Sequence, residues 1–151
     1  MELVERNDSV GNETAPELPA DGSLPELLAE QVLARPDGVA VVQGDAVLTY
    51  RELAERAGEV AGYLRHLGVT RDDRVGLFVE PSVELMLGAW GILLSGGAYL
   101  PLSPEYPEER LRYMIEDARV QVIFCQQELV GRLAGLAPSG STIVTVGDAA
   151  A

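Results

Sequence analysis

Arg74-Val75-Gly76-Leu77-Phe78-Val79 is a mostly apolar run that stops at Glu80-Pro81. It is followed by a helix-length stretch, Ser82 to Leu94, and then by the short run Tyr99-Leu100-Pro101-Leu102. Strand, helix and strand in that order need a crossover, which makes the two strands parallel and the connection right-handed. Toward the C-terminus the alternation continues: a helix from Pro107 to Ala118, a strand from Val120 to Cys125, a short helix from Gln126 to Leu133, and a last strand from Thr142 to Val146. Near-continuous apolar strands belong to a parallel sheet covered on both faces. The expected fold class is α/β: a mostly parallel sheet with flanking helices.

Toward the N-terminus the pattern changes. Ser23 and Glu26 have the spacing of a capping box, in which hydroxyl and carboxylate each satisfy the other's backbone amide, so a helix is expected from Leu24 to Ala34. Arg35-Pro36-Asp37-Gly38 ends it. Val39–Val42 and Ala46–Leu48, joined by Gln43-Gly44-Asp45, read as a hairpin. Thr49 and Glu52 form a second capping box, with Leu48 and Leu53 placed as a hydrophobic staple. The apolar positions Tyr50, Leu53, Ala54, Ala57, Val60, Ala61, Leu64 and Leu67 then recur at helical spacing up to Gly68, a left-handed cap.

Leu85 to Pro104 carries no charge and is about as long as a bilayer core requires. Gly88, Gly91, Gly96, Gly97, Pro101 and Ser103 break it, however, into a helix and a strand. The helix reads as covered on most sides and followed by a buried strand, as doubly wound sheets produce; because it is apolar on most sides, a face of it that a more complete domain would cover is expected to be bare here and to seek a partner.

The whole chain has 151 residues, enough for one core, with a net charge of −13. All eleven of its bases are arginine. An acidic surface repels phosphate backbones and anionic lipid, so nucleic acid and membranes are not expected as partners. The absence of lysine removes phosphate-loop and Schiff-base lysine chemistry. One cysteine, Cys125, and one histidine, His66, exclude a disulfide framework and a soft-ligand metal cluster. Residues 1–22 hold Glu2, Glu5, Asp8, Glu13, Glu17 and Asp21 against Arg6, with no apolar run, so they read as an acidic linker rather than a secretory or transit signal; the chain is expected in the cytoplasm.

A parallel sheet binds ligands at the carboxyl ends of its strands, which directs attention to the loops after Val79, Leu102, Cys125 and Val146. None is a glycine cradle, and neither the dinucleotide fingerprint nor the phosphate-loop motif occurs in the sequence. Pro138-Ser139-Gly140-Ser141-Thr142 enters a strand rather than a helix and reads as a turn. Adjacent carboxylates such as Glu108-Glu109 and Glu116-Asp117 point different ways on a helix, and Glu108 with Arg112 reads as a surface ion pair. His66, late in its helix, faces no visible partner, and Cys125 is expected as a packed thiol. From these residues alone no catalytic, cofactor or metal ligand is assigned.

The run Leu48-Thr49-Tyr50-Arg51-Glu52-Leu53 resembles the first core motif of the adenylation domains of nonribosomal peptide synthetases. A second stretch resembles their second motif: Leu93-Leu94-Ser95-Gly96-Gly97-Ala98-Tyr99-Leu100-Pro101-Leu102, continuing through Ser103-Pro104-Glu105-Tyr106-Pro107-Glu108-Glu109-Arg110-Leu111. Leu67-Gly68-Val69 and Asp73-Arg74-Val75-Gly76 stand between them in the family's order. The leading residues are similar to the linker that joins a condensation domain to the adenylation domain after it, with Arg6 where that linker usually has tryptophan. Within the second motif Leu94 replaces a usual lysine and Ser103 a usual aspartate.

The resemblance implies an enzyme that activates an amino acid with ATP and magnesium and passes the aminoacyl group to a carrier-protein thiol. The family's phosphate loop, substrate-amine aspartate, ribose acid and mobile-subdomain lysine lie beyond the stretch that matches. Residues 23–151 are therefore expected to be an N-terminal fragment of the large subdomain, or a split subunit, binding no cofactor alone and not catalytic alone. Its partners would be the remainder of the adenylation domain, condensation and carrier domains, or a second copy of itself. Two other readings stay open here. One is a noncatalytic docking module derived from an adenylation domain; the other is a free-standing nucleotide-binding α/β protein.

Overall fold

The computed structural model describes residues 22–149. The acidic segment expected to be a linker lies almost wholly outside them. Helix α1 (Leu24–Ala34) opens on Ser23, whose backbone amide donates to Glu26 Oε2 at 2.7 Å while its hydroxyl accepts from the Glu26 amide at 3.4 Å. A hairpin follows, β1 (Val39–Gln43) with β2 (Ala46–Thr49). Helix α2 (Tyr50–His66) starts on the second box, where the Thr49 amide donates to Glu52 at 2.8 Å and the Glu52 amide donates back to the Thr49 hydroxyl at 3.2 Å.

The remaining elements are β3 (Arg74–Phe78), α3 (Val83–Ser95), β4 (Ala98–Pro101), α4 (Glu108–Asp117), β5 (Val122–Cys125), a 3₁₀ turn (Gln127–Leu129) running into α5 (Val130–Leu133), β6 (Thr142–Val144) and α6 (Val146–Ala149). The four strands β4-β3-β5-β6 pair in that order, all parallel, with Val75 opposite both Tyr99 and Val122, and Ile123 opposite Ile143. The α/β expectation is met.

Period-two alternation sends side chains to both faces of the sheet. Val75, Leu77 and Phe124 join Val60, Leu64 and Ile92 of α2 and α3 on one face. Phe78, Ile123 and Cys125 join Leu111, Ile115 and Leu133 of α4 and α5 on the other. A third cluster, Leu28, Leu48, Leu53 and Leu87, fastens α1 and the hairpin to α2 and α3, and it contains both residues of the staple. Burying a side chain such as Phe78 or Phe124 stabilises the fold by roughly 1.5–3 kcal/mol.

Helix α3 does not carry the bare face expected of it. Each of its residues is buried or half-buried, because α1, α2, β1, β3 and β4 all pack on it. Two glycines make the closeness possible. A Cβ on Gly88 would stand 2.5 Å from the Phe124 ring, and one on Gly91 would stand 2.6 Å from Val60 Cβ. Among the described residues the large exposed apolar side chains are instead Leu24 and Leu33 on α1, Val39, Val42 and Val47 on the hairpin, and Tyr99 and Tyr113.

Two further expectations are corrected. The last strand ends at Val144 rather than Val146, because Thr145 and Asp148 form a third capping box and start α6: the Thr145 amide and hydroxyl donate to Asp148 Oδ2 at 2.7 and 2.8 Å. Glu108 and Arg112 make no ion pair; both are exposed, where the entropy of holding two long side chains together offsets the attraction. As expected, the charge-free stretch from Leu85 is split between α3 and β4; no helix among the described residues is long and apolar enough to cross a membrane.

Candidate functional site at the carboxyl edge of the sheet

The ends of β3 and β4 open into a groove of about 500 Å³. Leu77, Val79, Leu85 and Leu102 form its floor, Glu80-Pro81 one wall, and Ser103-Pro104-Glu105-Tyr106 the other. The second wall is a tight turn: the Tyr106 amide donates to the Ser103 carbonyl at 3.0 Å and the Glu105 amide to the Ser103 hydroxyl at 3.3 Å. Arg110 lies over the Tyr106 ring, 4.0 Å from its centroid, a cation–π contact that holds the ring from the next helix.

The first wall is tied down by two glutamines distant in sequence. Gln126, just past β5, accepts from the Glu80 amide at 2.7 Å through its carbonyl oxygen. Its nitrogen donates to Ser82 Oγ at 3.2 Å and to Glu84 Oε2 at 2.7 Å. Gln43, at the end of β1, accepts from the Val83 amide at 2.9 Å and donates to the Pro81 carbonyl at 3.0 Å. Ser82 in turn caps α3 by accepting from the Leu85 amide at 3.2 Å. Neither glutamine was singled out from the sequence, since the pairings span some forty residues and leave no local pattern.

A helix N-terminus next to a groove can bind phosphate with its free amides. Here the Val83 and Leu85 amides already have acceptors, and Glu84 occupies the first turn. The groove lining carries the carboxylates Glu80 and Glu105 and no basic side chain. This arrangement does not fit a triphosphate, which needs cations and free donors.

The residues of the two sequence motifs separate rather than converge. Leu48, Tyr50 and Leu53 pack in the α1–hairpin cluster; Thr49 and Glu52 cap α2; and the Tyr50 hydroxyl accepts from Arg35 at 3.0 Å. In the second motif Gly96, at φ 96°, is the left-handed cap of α3, and Gly97 is buried against the Asp73 carbonyl. Ala98, Tyr99 and Pro101 form the edge strand β4. Pro104 and Tyr106 line the groove, Pro107 precedes α4, and Leu111 anchors α4 in the core below Arg110.

Burial pushes the Cys125 thiol up to about 12, with the Glu128 charge adding to it, so it is a packed thiol as expected. His66 lies exposed in the last turn of α2. Among the described residues no group of His, Cys, Asp or Glu is placed to hold a metal.

Residues 28–151 match the family described as AMP-binding enzyme. The chain is 59% identical over 131 residues to indigoidine synthase of Streptomyces lavendulae, covering 87% of this chain and 10% of that protein. It is 50% identical over 119 residues to gramicidin S synthase 2 of Brevibacillus brevis, covering 79% of this chain and 3% of that one. The chain thus spans a tenth or less of these relatives. Among solved structures, the nonribosomal peptide synthetase FmoA3 bound to α-methyl-L-serine-AMP superposes with a TM-score of 0.79 at 34% identity, over 86% of this chain and 15% of that one. The chain belongs to the AMP-binding enzyme family, as an N-terminal stretch of an adenylation domain of the nonribosomal peptide synthetase kind.

Proposed function

We propose that the chain supplies scaffold, and not reacting groups, to a domain that activates an amino acid as its adenylate during nonribosomal peptide synthesis in the cytoplasm. The observation that carries this reading is the family match across residues 28–151, joined to a carboxyl edge whose lining is acidic and where the Val83 and Leu85 amides are already bonded. Stabilising a transferring phosphoryl or adenylyl group takes cations and free donors aimed at it. ATP and magnesium are therefore held by parts of the domain outside this stretch, and the partners of this chain are those parts together with condensation and carrier domains. The aminoacyl-AMP bound to FmoA3 supports amino-acid activation as the chemistry of the whole.

The test is a graft. Residues 28–151 replace the matching segment of the Streptomyces lavendulae indigoidine synthase, and indigoidine formation is measured. A scaffold of the same kind preserves product formation in the folded chimera. A chimera that folds, binds ATP and makes no indigoidine counts against the reading.

A further inference from the structure

We propose that Gln126 is the positioning residue of the carboxyl-edge groove: from the end of β5 it fixes the Glu80-Pro81-Ser82 wall, independently of the tie that Gln43 makes from the hairpin. The inference does not rest on the proposed function, because it concerns a loop of this chain alone.

The wall has few other supports. Glu80 and Pro81 are exposed, Ser82 is half-buried, and no strand neighbour reaches them, since β3 ends at Phe78. Gln126 is itself half-buried, and both ends of its amide are engaged on this loop: one acceptor to the Glu80 amide, two donors to Ser82 and Glu84. Donors and acceptors in that pattern are what a primary amide offers and what a carboxylate or a thioether does not. The Ser82 hydroxyl receives a hydrogen from Gln126 and accepts another from the Leu85 amide, so one side chain sets both the wall and the N-cap of α3. Gln43 holds different atoms, the Pro81 carbonyl and the Val83 amide, which makes the two ties separable by experiment.

The experiment is amide hydrogen exchange on the full chain, read by NMR at Glu80 and Val83, for the wild type, Q126M, Q126E and Q43M. Local opening of a loop exposes its own amides without unfolding the rest. At pH 7, Q126M and Q126E are expected to lower Glu80 protection by about tenfold or more and to leave core amides such as Phe124 unchanged, whereas Q43M acts on Val83 and spares Glu80. In Q126E the new carboxyl group opposes Glu84 while ionised, but once protonated it can both accept and donate. Protection of Glu80 in Q126E is therefore expected to recover as pH falls through the carboxyl range, while Q126M stays low at every pH. A side chain that merely filled space would show no such recovery. Unchanged Glu80 protection in Q126M, a Q126E profile without recovery, or equal loss of protection across the whole chain would each overturn the proposal.

Discussion

Replacing Gly91 by alanine tests the packing on which the arrangement of α2, α3 and the sheet depends. The added Cβ would lie 2.6 Å from Val60 Cβ, closer still to Val60 Cγ1, and 3.3 Å from the Ala57 carbonyl. Val60 is 1% exposed and cannot swing into solvent. Overpacking of this kind costs up to about 3 kcal/mol, and the better helix propensity of alanine returns about 1, for a net loss near 2 kcal/mol. In a chain of this size that lowers Tm by roughly 4–8 °C. Urea unfolding followed by the fluorescence of Trp90, the sole tryptophan, gives the free energy directly. Trimming the opposing side chain should relieve the clash. V60A is destabilising alone, yet the double variant G91A/V60A should be more stable than the sum of the two losses by about 1 kcal/mol or more, because contacting residues couple. A G91A variant as stable as the wild type would refute the close approach of α2 and α3 at this point.

Two further expectations follow from the electrostatics. The amide and hydroxyl of Ser23 hold Glu26 below its ordinary 4.5, those of Thr49 do the same for Glu52, and Thr70 lowers Asp73 from 3.8. A carboxyl with a lowered folded value contributes stability above its unfolded value that is lost as pH falls through the folded one. Acid titration of Tm should therefore show a decline below about pH 4.5 that is shallower in E52Q; an identical decline in that variant would count against the box as its source. Cys125, pushed up to about 12 and buried, should not react with a disulfide reagent at pH 8 until the chain is unfolded in urea. Prompt modification of the native protein would show the thiol to be accessible.

What the sequence made legible, and what it did not, divides along a physical line. Signals carried by neighbours in the chain read correctly: the two boxes at Ser23 and Thr49, the caps at Gly68 and Gly96, and the apolar runs of β3 and β5. The third box, Thr145 with Asp148, had the same spacing and was hidden by the apolar run Ile143-Val144 leading into Val146. The bare face assigned to α3 failed because composition shows that a helix is apolar, not how many elements surround it; Gly88 and Gly91 were the local sign that partners come close on two sides. The groove was foreseen in location, at the strand ends, but not in character. Its wall depends on Gln43 and Gln126, whose partners lie some forty residues away, and tertiary hydrogen bonds of that reach leave no periodicity to read.

The central claim, that this stretch is scaffold and the reacting groups lie outside it, is tested most directly by amino-acid-dependent exchange of labelled pyrophosphate into ATP. With the purified chain, magnesium and each proteinogenic amino acid in turn, the account predicts no exchange above a protein-free control. Exchange that depends on both the chain and an amino acid would contradict it.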